Sequence, residues 1–102
     1  MSDIIDVIDP RGKKIVCTKQ CWYGHVLIRH PFLRTSVKAI KKTVEKPDFI
    51  NQDTLSQKKE IYYRKSGNSY FRVVVEFRSN NGEFRTVYKS DSVKNGEVQL
   101  WP

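Results

Sequence analysis

SYFRVVVEFRSNNGEFRTVYKS, residues 69–90, is the stretch whose reading decides the fold. Its two ends, 69–77 and 83–90, are rich in aromatic and β-branched side chains, the composition of a pleated and half-buried strand. SNNG at 79–82 supplies the small and polar residues of a tight hairpin. Working outward, IYYR at 61–64 and EVQLW at 97–101 have the same character, and KSGN at 65–68 and KNG at 94–96 separate them from the central pair. Four strands joined by short turns predict an antiparallel meander. Such a sheet needs helices on one face to bury enough apolar surface.

The helices are expected upstream. From Thr18 onward, Trp22, His25 or Val26, and Arg29 recur at three- and four-residue intervals, which predicts a helix from about Lys19 to Ile28, closed by Pro31. Thr35 or Ser36 can cap a second helix whose apolar face is Val37, Ile40 and Val44; KPD at 46–48 stops it. DIIDVID at 3–9 reads as a short strand or edge piece, DPRGKK at 9–14 as a turn, and NQDTLSQKKE at 51–60 as a loop. The fold class expected is therefore α+β, with N-terminal helices packed on a four-stranded antiparallel β-sheet, in one domain spanning residues 1–102.

Charge narrows the function. Nineteen Lys and Arg against eleven Asp and Glu leave a formal charge of +8, which points to a polyanionic partner. No apolar run approaches the ~20 residues of a membrane-spanning helix, and the N-terminus MSDIIDVIDPRGKK lacks the pattern of an export signal. A cytoplasmic protein without a membrane partner is expected. Cys17 and Cys21 read as free thiols in that setting. With His25 and His30 they offer nominally enough donors for tetrahedral zinc, but without the spacer that lets a finger close round its metal.

CWYGHVLIRHPF at 21–32 concentrates the chemistry-bearing side chains. On a helix Trp22, His25 and Arg29 share one stripe, whereas His30 lies at the end that Pro31 unwinds. A core tryptophan, a half-buried histidine and a basic helix end would give the same pattern. KKEIYYRKSGNSYFR at 58–72 interleaves five cations with Tyr62, Tyr63, Tyr70 and Phe71, a composition that can hold phosphates while bases stack on rings. Tyr63 and Arg64 are the substrate-binding candidates of that stretch. Asp48 after Pro47, with Glu76-x-Arg78, imitates the carboxylates of magnesium nucleases, but arginine stands where lysine is required.

Trp22-x2-His25-x4-His30-Pro31, the Val37 and Ile40 helix, PDFI at 47–50, YYR at 62–64, RVVVEF at 72–77, TVY at 86–88 and a terminal LW together resemble the phage-associated members of the barnase, EndoU, colicin and RelE-like nuclease superfamily. The resemblance runs from Trp22 to Trp101. It implies helices on a four-stranded antiparallel sheet and metal-independent cutting of RNA, with no cofactor. It implies His25 as general acid or base, His30 as second proton carrier, Thr86 and Tyr88 as hydroxyl donors, and Arg29 and Lys89 as phosphate holders. An acidic inhibitor or immunity protein is the further partner it implies. Two positions depart from the family pattern: Phe32 replaces the acid after RHP, and Val87 the small residue after the strand threonine. Histidine then carries more of any proton transfer. A non-catalytic basic module that binds RNA or protein is the reading from another class.

Overall fold

β5 (Ser69–Arg78) and β6 (Asn81–Ser90) form the hairpin that the composition predicts, in register from Tyr70 opposite Ser90 to Arg78 opposite Asn81. Around it the computed structural model, which describes residues 3–102, arranges five more strands. These are β1 (Ile5–Ile8), β2 (Lys14–Cys17), β3 (Phe49–Gln52), β4 (Lys59–Ser66) and β7 (Val98–Trp101). All seven lie in one sheet of order β1-β2-β6-β5-β4-β3-β7. Neighbours are antiparallel except β2 and β6, which run parallel.

This corrects the expectation of a four-stranded antiparallel meander under N-terminal helices. The sheet is seven-stranded and mixed, 44% of the chain is strand against 25% helix, and two strands precede the helices. Each difference has a local cause. The turn at Pro10–Gly12 is real, with Gly12 at φ 86, but Ile15 and Cys17 behind it are fully buried and extend as β2. FINQ at 49–52 has weak strand formers in half its positions and pairs through its backbone with strands on both sides. β7 does not add to β6 as a meander would; it crosses to the far side of β4 and pairs with β3. Sequence pattern specifies that a segment is a strand more readily than it specifies the partner.

The first helix spans residues 19–29 and is α-helical except for a π-turn over Trp22–Val26. The Thr18 hydroxyl caps it, accepting from the Cys21 amide at 3.0 Å. Pro31 opens a 3₁₀ turn (Pro31–Thr35), and the second helix (Val37–Glu45) packs Ile40 and Val44 into the core. Strand alternation divides β5 between two apolar clusters. Phe71, Val73, Val75 and Phe77 meet the helices; Val74 faces the other way, with Ile61 and Tyr63, under Phe49, Tyr70 and Val93. The segment 91–97 therefore straps across the second face, so both sides of the central strands are covered. Among the described residues no helix is long and apolar enough to cross a membrane.

A buried polar knot fixes the β1–β2 turn to the sheet. Asp9, nearly inaccessible, accepts from the Tyr62 hydroxyl at 2.6 Å, from the amides of Arg11 and Lys13, and from the Arg11 guanidinium, which also reaches Glu60 at 2.6 Å. Burial alone would raise the Asp9 carboxyl, but these donors outweigh it and hold it below the usual carboxylate range. A carboxyl held low in the folded state contributes stability that is present above its ordinary value near 3.8 and is lost as pH falls through the folded value. Asp9→Asn is expected to lower unfolding free energy by roughly 2–4 kcal/mol at neutral pH, with the gap from wild type closing in acid below that value. Urea titrations at a series of pH values check it. Gly82→Ala should also destabilise, by about 1–3 kcal/mol, because an added Cβ would lie 2.6 Å from Val75 Cγ1 and 2.7 Å from Ile15 Cδ1. Its denaturation midpoint measures that.

Candidate functional site at the edge of β6

β2 pairs with β6 only at its beginning, from Asn81 to Glu83, so the rest of β6 would be a free edge. The first helix takes the place of a strand there: the Cys21 thiol donates to the Phe84 carbonyl at 3.1 Å, one residue beyond the ladder. From Cys21 to His30 the helix rises about 13 Å at 1.5 Å per residue. From Phe84 to Tyr88 the strand rises about 13 Å at 3.3 Å per residue. Helix and strand thus keep level, and the His30 ring arrives 5.7 Å from the Tyr88 ring, tilted by 30°. Phe32 closes edge-on against His30 at 5.9 Å.

The Tyr88 hydroxyl is set from behind. It accepts from Arg72 Nη1 at 2.5 Å, while Arg72 Nε donates to the Tyr63 hydroxyl at 2.9 Å and Nη2 to Glu97 Oε2 at 2.8 Å. The Tyr63 hydroxyl donates in turn to Glu97 Oε1 at 2.7 Å. The Glu97 side chain is wholly inaccessible and that of Arg72 is 6% exposed, so this is a buried ion pair with its remaining hydrogen-bonding groups engaged. Burial and the bond to Glu97 push Tyr63 up to about 12, against the opposing pull of Arg72. Because Tyr88 oxygen already accepts from a cation, its own proton is free to point away from Arg72.

The candidates from sequence separate accordingly. His30, Thr86 and Tyr88 are half-buried, and Thr86 and Tyr88 share the sheet face opposite the helices, where Val74 and Arg72 oppose them. His25 and Arg29 are exposed on the first helix. His25 lies at about the level of Thr86 by helix rise; it lines a shallow depression with Thr18, Cys21, Glu83 and Arg85. Lys89 and Arg64 belong to the other face, with Phe71. Tyr63, the other substrate-binding candidate of β4, is fully buried, stacked on Phe49 at 5.0 Å, and its hydroxyl accepts from Arg72.

Arg72 and Glu97 were missed in the sequence. A lone arginine in the middle of the apolar run SYFRVVVEF was the available signal, since a cation there needs a buried partner. Nothing local marked Glu97 as that partner. Cys17 and Cys21 are free thiols, and among the described residues no three His, Cys, Asp or Glu side chains converge as metal ligands. Asp48 is tied to the Lys65 amide and Glu76 to Arg85, so the carboxylates of the magnesium pattern are engaged separately.

Compared with protein-family models, curated proteins and solved structures, the chain matches none. The site therefore rests on its own geometry. Glu97→Ala, which strands a buried guanidinium, is expected to lower stability by about 3–5 kcal/mol. Arg72→Met combined with Glu97→Leu should recover much of that loss, as thermal melts of the two variants would show.

Proposed function

We propose that the protein is a metal-independent RNA endonuclease whose reacting groups are His30 and Tyr88. The observation that carries this reading is the half-buried imidazole held against a tyrosine whose oxygen is already bonded to a buried arginine. Cutting RNA by its own 2′-hydroxyl needs a base, an acid and donors for the phosphorane oxygens. In this reading His30 takes the 2′-hydroxyl proton, the 2′-oxygen bonds to phosphorus, and the bond from phosphorus to the 5′-oxygen breaks. Tyr88 gives its proton to that leaving oxygen, and Arg72 stabilises the phenolate left behind. The products are a 2′,3′-cyclic phosphate and a 5′-hydroxyl, and the imidazolium and phenolate return to their starting forms through solvent.

Thr86, on the same face as Tyr88, is the donor to a phosphate oxygen, and exposed Arg29 holds the neighbouring phosphate. His25 is the alternative proton carrier, at the level of Thr86 and beside Arg85. The π-turn that contains it supports a functional role for this helix, since such turns recur at functional sites. Exposed Ile28 and Phe32 flank Arg29 and His30 in sequence and would suit an inhibitor with acidic and apolar side chains.

Incubation of RNA with the protein in EDTA should give fragments ending in cyclic phosphate. His30→Ala should lower kcat/KM by about 10²–10⁴ and Tyr88→Phe by about 10²–10³, with a smaller effect for His25→Ala. Tight, salt-sensitive binding with no cutting by the wild type would instead support the non-catalytic RNA-binding module.

A further inference from the structure

We infer that a cationic cleft on the helix side of the sheet, between the second helix and the β4–β5 hairpin, is a phosphodiester-binding subsite for single-stranded RNA. The inference rests on RNA being the ligand of the β6 edge, but not on the RNA being cut. The cleft is lined by Ala39, Lys42, Arg64, Lys65, Ser66 and Phe71. Two of these, Lys42 and Arg64, are cations on the helix side, Ser66 is a hydroxyl donor, and none is acidic; Lys65 borders the cleft, but opposite Tyr70 in the ladder its side chain belongs to the other face. Phe71 and Ala39 form its apolar floor, and Lys89 holds its ammonium 5.0 Å above the Phe71 ring from the neighbouring strand.

Arg64 is fixed in place by the fold. Arg64 Nη1 donates to the Lys46 carbonyl at 2.5 Å, at the C-terminal end of the second helix. That contact meets the negative end of the helix dipole and leaves the other guanidinium nitrogens free to bind. Asp48, the carboxylate at this corner, accepts from the Lys65 amide at 2.7 Å and so anchors that residue's backbone. Among the described residues none of Lys42, Arg64, Lys65 and Lys89 lies within ion-pair distance of a carboxylate. Convergent like charges repel, and a bound anion relieves that repulsion.

Phosphodiester fits better than an acidic protein because the cleft lies at the same end of the sheet as the first site, on the opposite face, within reach of a flexible polyanion that rounds the edge of β6. Lys89 directly follows Tyr88, and the row Lys89, Phe71, Arg64 runs across three adjacent strands at the same end of the sheet. A strand of RNA held at His30 and Tyr88 reaches this row by passing over the end of β6. Phosphates repeat along such a chain and carboxylates of a folded protein do not.

Binding of a fluorescein-labelled single-stranded RNA to the full chain, followed by anisotropy over a salt series, tests the inference. The His30→Ala background slows cutting, so that the RNA outlasts the binding measurement. Lys42→Gln with Lys89→Gln should reduce the slope of log affinity against log salt by about 0.7 for each lysine, from the counterions no longer released. Their thermal midpoint should not fall, since both side chains are exposed and repel their neighbours. Lys58→Gln with Lys59→Gln, at the opposite end of the sheet, should leave the slope near that of the parent. Equal slopes for the cleft variant and the parent would overturn the inference, and so would an unchanged RNA slope with weakened binding of poly-L-glutamate. A reduced slope in a protein that never cuts RNA would uphold the cleft and refute the nuclease.

Discussion

The buried pair of Arg72 and Glu97 is the constraint to which the rest of the structure answers. A guanidinium in the middle of an apolar strand cannot stay buried without a counter-charge and partners for its donors. Glu97 reaches it only because residues 91–97 cross the sheet, and that crossing delivers β7 to β3 instead of to β6. The strap then seals Ile61, Tyr63 and Val74 beneath Val93, which turns a one-sided sheet into one covered on both faces. The same guanidinium orients Tyr88. One ion pair thus connects the order of the strands to the chemistry available at the edge of β6.

The molecule has two polar anchors, and they differ in what they expose. On the helix face of the sheet Asp9, Arg11, Tyr62 and Glu60 bond to one another and tie the β1–β2 turn to β4. That knot closes on its own members and fastens the chain. On the opposite face Tyr63, Glu97 and Arg72 form a similar chain of donors and acceptors, but it ends on half-buried Tyr88. A network that stops at the surface can pass a proton or stabilise a charge there; one that closes on itself cannot.

How much of this was readable in the chain follows from the range over which each feature is encoded. Strands 59–66, 69–78 and 81–90 and both helices announce themselves by local composition and spacing, and the sequence reading found each within a few residues. β2 was hidden behind a correctly read turn, and β3 by an asparagine and a glutamine whose backbone, not side chains, does the pairing. Sheet order depends on contacts between Arg72 and Glu97, 25 residues apart, which no periodicity records. For the candidate site, local sequence marks His30 and Tyr88 as chemistry-bearing side chains, but nothing local records that their rings meet. The emphasis fell on His25, because helical geometry groups it with Trp22 and Arg29 and cannot show what the end of the helix meets.

The level match between the first helix and β6 constrains how the chain can change length. One residue added to the helix advances its end by about 1.5 Å but swings it through about 100°. One residue added to the strand advances it by about 3.3 Å and sends every later side chain to the opposite face. Insertions on either side therefore separate His30 from Tyr88 unless both are altered together. Lengthening is harmless only outside the interval from Cys21 to His30 and from Phe84 to Tyr88, so this short parallel stretch acts as the molecule's ruler.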